Sequence, residues 1–475
     1  MINFIKEVEN KYNVSSITVN GVQVWPFLRT AYYFKYNEFY KFSELNRNKS
    51  KNIFAKLKRV KNVFYGLENL TRKYDYLILS DTFEKRLIDN KYIDKIAEYL
   101  MFELGKDNVL LIENPANGVH YKRSEISINN IISLDLFQVF CYPRLLSKRL
   151  DINNEQILKE INRTYQLDIN YLILISSFFC YAKWFDFFYK IYNPKIIFIN
   201  CYYSLPHQAA IFSANKIGIK TVELQHGIIN NKHPAYNVFV KIDKSFFPNY
   251  LFVFGDYVKT FFNENNYFIE KDNVLSIGNL YLDYICNEYK PSEMVTKLLN
   301  DFRIKYKKIV AISSQWTVEG RLIDFLKKSA SLSKDILYIF VPRDLSKDYS
   351  RANFPENIII LRNLNIYQIV KEADFHATVN STCALEAPVL GVPNILININ
   401  NQAKIYYSDL LTNRNVTRFV DKENEFVNLI LNWQTNSKKE INNLHRGFYK
   451  ENHKENLKQA LRIVMENISL AEELK

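Results

Sequence analysis

The sequence predicts an α/β chain made of two parallel-sheet units. Three observations carry that expectation. At 475 residues the chain is longer than one hydrophobic core usually serves, so two domains are the default. From Tyr74 onward, short apolar runs alternate with helical stretches, the pattern of parallel strands covered on both faces. Several of those runs end in polar residues, as a ligand-binding sheet edge requires.

The composition agrees. A hydrophobic content of 48% is that of a globular protein. The net charge of +13 favours anionic partners such as nucleotide phosphates, acidic lipid or nucleic acid. The basic residues concentrate early in the chain without a nucleic-acid motif, so nucleic acid is not expected as a partner. Five cysteines (Cys141, Cys180, Cys201, Cys286 and Cys383) are scattered and form no CxxC pair. They suit a reducing compartment and argue against a disulfide framework or a structural zinc site. The opening Met1–Val8 stretch becomes charged too early for a secretory leader. The most apolar run, 171–182, is broken by Lys183 and Asp186, which points to a core helix too short to span a bilayer. A cytoplasmic protein is expected, able to reach the inner face of the membrane.

In chain order, residues 1–73 are expected to be an amino-terminal helical segment. Two helices flank a turn at Asn20-Gly21, and Trp25-Pro26-Phe27-Leu28-Arg29 opens the second, with proline in its first turn. Within 46–73, Arg47, Lys49, Lys51, Lys56, Lys58, Arg59 and Lys61 accompany Ile53, Phe54, Leu57, Val60, Phe64 and Leu67 at helical spacing. A basic amphipathic helix of this kind can dock on an anionic membrane; more often its apolar stripe packs on its own domain. Residues 74–288 form the first sheet unit, with strands at 76–79, 109–112, 196–199, 221–224, 251–254 and 274–277. Its helices are expected at 92–104, through much of 150–190, and at 206–216. After a weak linker at 284–291, residues 289–475 form the second unit. Its strands are expected at 308–312, 336–341, 358–361, 375–379 and 394–397, with polar helices closing the chain.

The stretch that organises the first unit is Thr221-Val222-Glu223-Leu224-Gln225-His226-Gly227. It is a buried strand ending on Gln225, His226 and Gly227, where ligands collect in an open α/β sheet. Gly227 would let the backbone turn sharply or approach a ligand closely, and His233 follows before Pro234. A strand-end histidine is about as often satisfied by a backbone carbonyl as it is functional. In the second unit, Asn380-Ser381-Thr382 stands at a strand-to-helix junction, where a plain N-cap or a phosphate site would look alike. Ser313-Ser314-Gln315 ends the unit's first strand, a place for phosphate or ribose. Arg343 follows another strand end and could neutralise a phosphate or pair with Asp344 or Asp348.

Glu223-Leu224-Gln225-His226-Gly227, His233-Pro234-Ala235-Tyr236, Phe252-Val253-Phe254-Gly255 and Ile277-Gly278-Asn279 together resemble bacterial capsule and surface-polysaccharide enzymes of the GT-B class. With Asn380-Ser381-Thr382 through Glu386 and Gly391-Val392-Pro393, the set is similar to transferases of CMP-linked acidic sugars (Kdo and sialic-acid types) and to CDP-glycerol phosphotransferases. The likeness covers about 200–400 well and the first 70 residues poorly, apart from Trp25–Arg29. It implies an acceptor domain of 74–288 and a donor domain of 289–475, with Ser313, Ser314, Gln315, Arg343, Ser381, Thr382 and Glu386 on the nucleotide sugar. Gln225, Gly227 and His233 would face the acceptor, a glycan or lipid-linked glycan. His226 would accept the acceptor's proton or steady the leaving phosphate, with Asp81 and Glu113 as rival bases. The plan implies no metal and no cofactor, and the sequence has no DxD motif convincingly placed after a strand. One departure stands out. Related proteins often carry a His-Pro pair where this chain reads Phe340-Val341-Pro342-Arg343. That leaves UDP-, dTDP- or GDP-sugars open beside CMP, and also a non-catalytic glycan-binding scaffold.

Overall fold

A computed structural model describes residues 2–37, 59–115, 118–138, 141, 150–315, 317–343, 347–362 and 364–473. Two all-parallel sheets organise it. The first has seven strands: β3 (Tyr76–Asp81), β6 (Val109–Asn114), β7 (Ile131–Ser133), β8 (Ile196–Asn200), β9 (Lys220–Leu224), β10 (Tyr250–Val253) and β11 (Val274–Ser276). They lie in the order β11-β10-β9-β8-β3-β6-β7. The second has six: β12 (Lys308–Ser313), β13 (Ile336–Val341), β14 (Ile358–Ile360), β15 (Phe375–Thr378), β16 (Asn394–Ile397) and β17 (Thr417–Val420), in the order β14-β13-β12-β15-β16-β17. Both run outward from their first strand, then reverse. The reversal places a switch point between β3 and β8 and another between β12 and β15, where crevices open at the strands' carboxyl ends. Two Rossmann-like domains facing a cleft are the GT-B architecture that the sequence predicts.

The strand pattern explains the layers. In β3, Leu77 and Leu79 face one core and Ile78 the other; β12 divides Ile309 and Ala311 from Val310 and Ile312 in the same way. Period-two alternation with both faces apolar is what a doubly covered sheet demands. Each fully buried aliphatic side chain contributes about 1.5–3 kcal/mol.

Several elements differ from the sequence reading. Residues 1–37 do hold two helices, Asn3–Lys11 and Trp25–Tyr36, but β1 (Thr18–Val19) and β2 (Val22–Gln23) pair between them. Asn20 and Gly21 both take positive φ in that turn. The helix expected at 92–104 begins only at Glu98. Ahead of it β4 (Lys85–Ile88) and β5 (Lys91–Asp94) form a hairpin, turned by Asp89 and Asn90 at positive φ. The helix Tyr171–Tyr192 runs straight through Lys183 and Asp186 for 22 residues. It is long and apolar enough to cross a membrane by length and composition alone; here Phe178, Phe185 and Tyr189 are fully buried in the first domain, while Phe187 and Ile191 are exposed. Residues 38–58, which hold most of the basic residues of the stretch read at 46–73, lie outside the described residues. Just past them, Val60 and Phe64 are exposed and Val63 is buried. Cys141 and Cys180, expected to be unpaired, are joined as a disulfide.

The chain's end also returns across the domain boundary. Leu457, Ala460 and Val464 of the last helix, His453–Glu473, join the core beneath β3 and β6. The crossing strip 446–452 explains two glycines: a Cβ at Gly255 would stand 2.3 Å from the Phe448 carbonyl carbon, and one at Gly278 2.4 Å from the Lys450 oxygen. The segment read as a linker at 284–291 is likewise packed, with Ile285 and Tyr289 in the second domain's core.

Candidate functional site

A cavity of about 730 Å³ lies between the two sheets' carboxyl edges, lined by both domains. The second domain supplies Ser313, Ser314, Arg343, Lys347, Arg362, Ser381 and Thr382. Ser313 follows from the sheet: its hydroxyl meets Nε2 of buried His376 at 2.9 Å, and that ring's Nδ1 meets the Asn394 side chain at 2.8 Å. Burial holds His376 neutral, with its pKa down to about 4. Ser314 donates to Glu319 at 2.6 Å, and Lys347 pairs with the same carboxylate. Ser381 accepts from the Cys383 amide at 3.3 Å and Thr382 makes no side-chain cap. Of the donor residues read from the sequence, Ser313, Ser314, Arg343, Ser381 and Thr382 line the cavity. Gln315 and Glu386 do not. Glu386 is buried beneath it, bound by Tyr367 at 2.7 Å and Lys95 at 3.5 Å, so its carboxylate is engaged within the protein.

The first domain lines the cavity with Thr82, Phe83, Lys85, Arg86 and His120 among others, and not with Asp81, Glu113 or His226. A second cluster stands beside it, at the first domain's switch point. Asp81 ends β3, Cys201 follows β8 and His226 follows β9. His226 accepts the Cys201 amide on Nδ1 at 3.1 Å, which in the neutral ring leaves the proton on Nε2. That nitrogen lies 3.4 Å from the Tyr203 hydroxyl. Burial first, with Lys95 and His207, holds the ring's pKa below its usual range against the pull of Glu84 and a hydrogen bond to the Leu224 backbone. Burial raises the Asp81 carboxyl, moderated by His207 and by a hydrogen bond from Asn114. Glu84, three residues beyond β3, is the opposite case: burial disfavours its charge, but Lys95, Arg86, His226 and Arg343 together keep it ionised. Under His226 lies Glu223, fully buried, its Oε1 4.0 Å from the ring and accepting from Tyr236 and the Tyr202 amide. Burial raises its pKa to about 8, so it is mostly protonated at neutral pH.

Glu113 does not belong to this group. It is fully buried, paired with Lys85 and 2.7 Å from His120 Nδ1. Gln225 is also structural: its side chain bridges the Gly227 carbonyl at 2.9 Å and the Phe254 amide at 2.7 Å. Gly227 faces the other domain, where a Cβ would meet Thr382 Cγ2 at an ordinary 3.9 Å. The fold therefore does not demand glycine there. His233 packs against Tyr203 and Tyr236, and burial, then His226 and Arg29, depress its pKa to about 3.

The loop carrying both histidines is clamped from the amino terminus. Arg29, buried, donates to Pro234 O at 2.5 Å and Asn237 O at 2.7 Å, and pairs with Glu9 at 2.8 Å. Trp25 donates to the same Glu9 oxygen at 3.0 Å, and Glu9 accepts the Phe239 amide at 3.0 Å. The Trp25–Arg29 and His233–Tyr236 motifs are thus one physical unit.

The sequence reading missed Glu84, Arg86, Lys95, Lys347 and Arg362. Arg86 and Lys95 ride on the β4–β5 hairpin, which reaches into the second domain: Ile88 joins that core, and Asn365 donates to the Leu87 carbonyl at 2.9 Å. Among the described residues no cluster of three or more His, Cys, Asp or Glu side chains is arranged to hold a metal.

No protein-family model and no curated protein matches the sequence. Similar solved structures include MnaA of S. aureus with UDP (9% identity, TM-score 0.49, 83% of this chain and 97% of that one). Another is a Neisseria meningitidis UDP-GlcNAc 2-epimerase bound to UDP-GlcNAc (9%, 0.47, 81% and 99%). A third is the wall teichoic acid polymerase TagF soaked with CDPG (12%, 0.46, 94% and 98%). At this level of similarity neither a donor nor a reaction transfers to the chain.

Proposed function

We propose that the protein is a glycosyltransferase of surface-polysaccharide biosynthesis, moving a sugar from a nucleotide-activated donor to a glycan or lipid-linked glycan acceptor. The observation that carries this reading is the cavity itself. Hydroxyls and cations for a phosphate converge on it from the second domain, and a carboxylate–imidazole cluster stands at the first domain's switch point. Ser313, Ser314, Arg343, Ser381 and Thr382 hold the donor phosphate, with Arg86 reaching over from the hairpin. Cations and oriented hydroxyls stabilise the charge that develops on a leaving phosphate.

In this mechanism His226 donates from Nε2 to the leaving phosphate. Asp81, whose raised pKa brings it nearer neutrality, accepts the acceptor hydroxyl's proton. The donor is a CMP-linked acidic sugar or, given Arg343 in place of the expected His-Pro, a UDP-, dTDP- or GDP-sugar. A CDP-glycerol-type phosphotransferase would use the same phosphate site. Thermal-shift screening with CMP, CDP, UDP, dTDP and GDP tests the reading, since a ligand of the native state raises melting by mass action. Indifference to all five leaves the non-catalytic scaffold.

The enzyme works in the cytoplasm, in peripheral contact with the anionic inner membrane. Support comes from the basic stretch 46–61 and from the exposed Phe64, Phe187 and Ile191. Co-sedimentation with anionic vesicles that is reversed by salt is expected; indifference to such vesicles removes this part.

A further inference from the structure

A second concavity, open and about 860 Å³, shares none of the cavity's lining residues. Lys232, Lys404, Arg414 and Arg418 line it, with Phe419 and one carboxylate, Asp421. The lysines are matched by carboxylates: Lys232 with Asp409 at 2.5 Å, across the domain boundary, and Lys404 with Asp421 at 2.7 Å. The two guanidiniums have no carboxylate partner among the described residues. Arg418 lies 4.3 Å over the Trp433 ring and donates from Nε to the Arg414 carbonyl at 3.2 Å. Arg414 lies 5.0 Å over the Phe419 ring. Packing over a ring face leaves a guanidinium's edge N–H donors for a carboxylate or phosphate, the bidentate partners it suits.

The groove is connected to both halves of the site through the chain and through hydrogen bonds. Lys232 lies six residues beyond His226 on the same loop. The opposite wall, Gln402–Tyr407, is tied to the donor-side loop: Asn380 donates to Gln402 at 3.0 Å, and the Tyr407 hydroxyl donates to the Ser381 carbonyl at 2.5 Å. Shape and charge narrow the occupant. A concave groove accepts a chain but not a planar bilayer. Two uncompensated charges suit acid groups spaced along a sugar chain and fall short of the roughly six to ten phosphate contacts typical of strong nucleic-acid binding.

We infer that this groove seats an acidic glycan chain, the acceptor of the transferase reading on which the inference rests, with its carboxylates on Arg414 and Arg418. The test is fluorescence anisotropy of labelled tetragalacturonate, with its neutral methyl ester, a (dT)12 oligonucleotide and anionic vesicles as comparison arms. The full chain should bind the tetragalacturonate, more weakly as salt rises, and should ignore the ester. Arg414→Gln with Arg418→Gln should weaken binding about tenfold at an unchanged melting temperature, and Arg414→Gln alone, at an exposed position, by a smaller factor. Absent binding, equal binding of the ester, an unchanged affinity in both variants, or tighter groove-dependent binding of (dT)12 or vesicles would overturn the inference. A nucleotide titration on the same preparation separates the two readings. Nucleotide bound without tetragalacturonate sinks the groove alone; tetragalacturonate bound without any nucleotide sinks the transferase and leaves the groove.

Discussion

His226 shows how much a single hydrogen bond decides. With Nδ1 accepting the Cys201 amide, the neutral ring carries its proton on Nε2, 3.4 Å from the Tyr203 hydroxyl. A base would need the other tautomer. The two roles forecast different variants. His226→Ala should lower turnover by about 10²–10⁴-fold, whereas His226→Gln, whose amide can still donate, should retain distinctly more. Asp81→Asn should lose as much as His226→Ala with no rescue. Steady-state turnover of the three variants decides; equal loss in Ala and Gln would return the base role to the histidine. His376 forecasts a pH effect. Its folded pKa of about 4 lies below the ordinary 6.5, so the folded state binds fewer protons than the unfolded chain between those values. Its contribution is present in full above pH 6.5 and is lost as pH falls toward 4, about 3 kcal/mol at the limit. His376→Gln should flatten the acid limb of a melting-temperature profile. Glu223 acts with the opposite sign. Its pKa is raised to about 8, so its contribution is full below pH 4.5 and is lost as pH rises through 8.

Among the elements, strands were the most legible. The runs at 336–341 and 394–397 coincide with β13 and β16, because doubly buried strands write themselves as continuous apolar residues. The β4–β5 hairpin was not legible as read. Its signal was present, Asp89-Asn90 between Arg86-Leu87-Ile88 and Lys91-Tyr92-Ile93, a pair that tolerates the positive φ of a tight turn. The helical content after Tyr92 masked it. With the hairpin went Arg86 and Lys95; the strand-end rule applied three residues further would have reached Glu84. Glu113 shows the rule's limit: a strand-end carboxylate can be spent on a buried lysine. Nor could local sequence show that Trp25 and Arg29 act on a loop two hundred residues away. That clamp makes a forecast at this scale. Arg29→Ala leaves Glu9 buried without its partner and frees the 234–237 carbonyls, a loss of about 3–5 kcal/mol. Denaturant unfolding should show it, and adding Glu9→Gln should recover part. A loss under 1 kcal/mol would mean the loop is held elsewhere.

At the scale of the molecule, two switch points face one another, and the chain stitches them together three times. The hairpin reaches forward into the second core, the strip 446–452 crosses back over Gly255 and Gly278, and the last helix seals the first sheet. Alternating strands announced the two sheets. The return of the terminus was hidden, because a helix's apolar face at 457, 460 and 464 does not say which core it joins. The central claim is that the cavity between the sheets is a nucleotide-donor site. Calorimetry of CMP, CDP, UDP, dTDP and GDP against the parent protein and Arg343→Ala tests it most directly. The account predicts that the parent binds one of the five and that Arg343→Ala weakens that nucleotide by about 1.5–3 kcal/mol, the range for hydrogen bonds to charged groups. Binding of none, or an affinity that ignores Arg343, would contradict it.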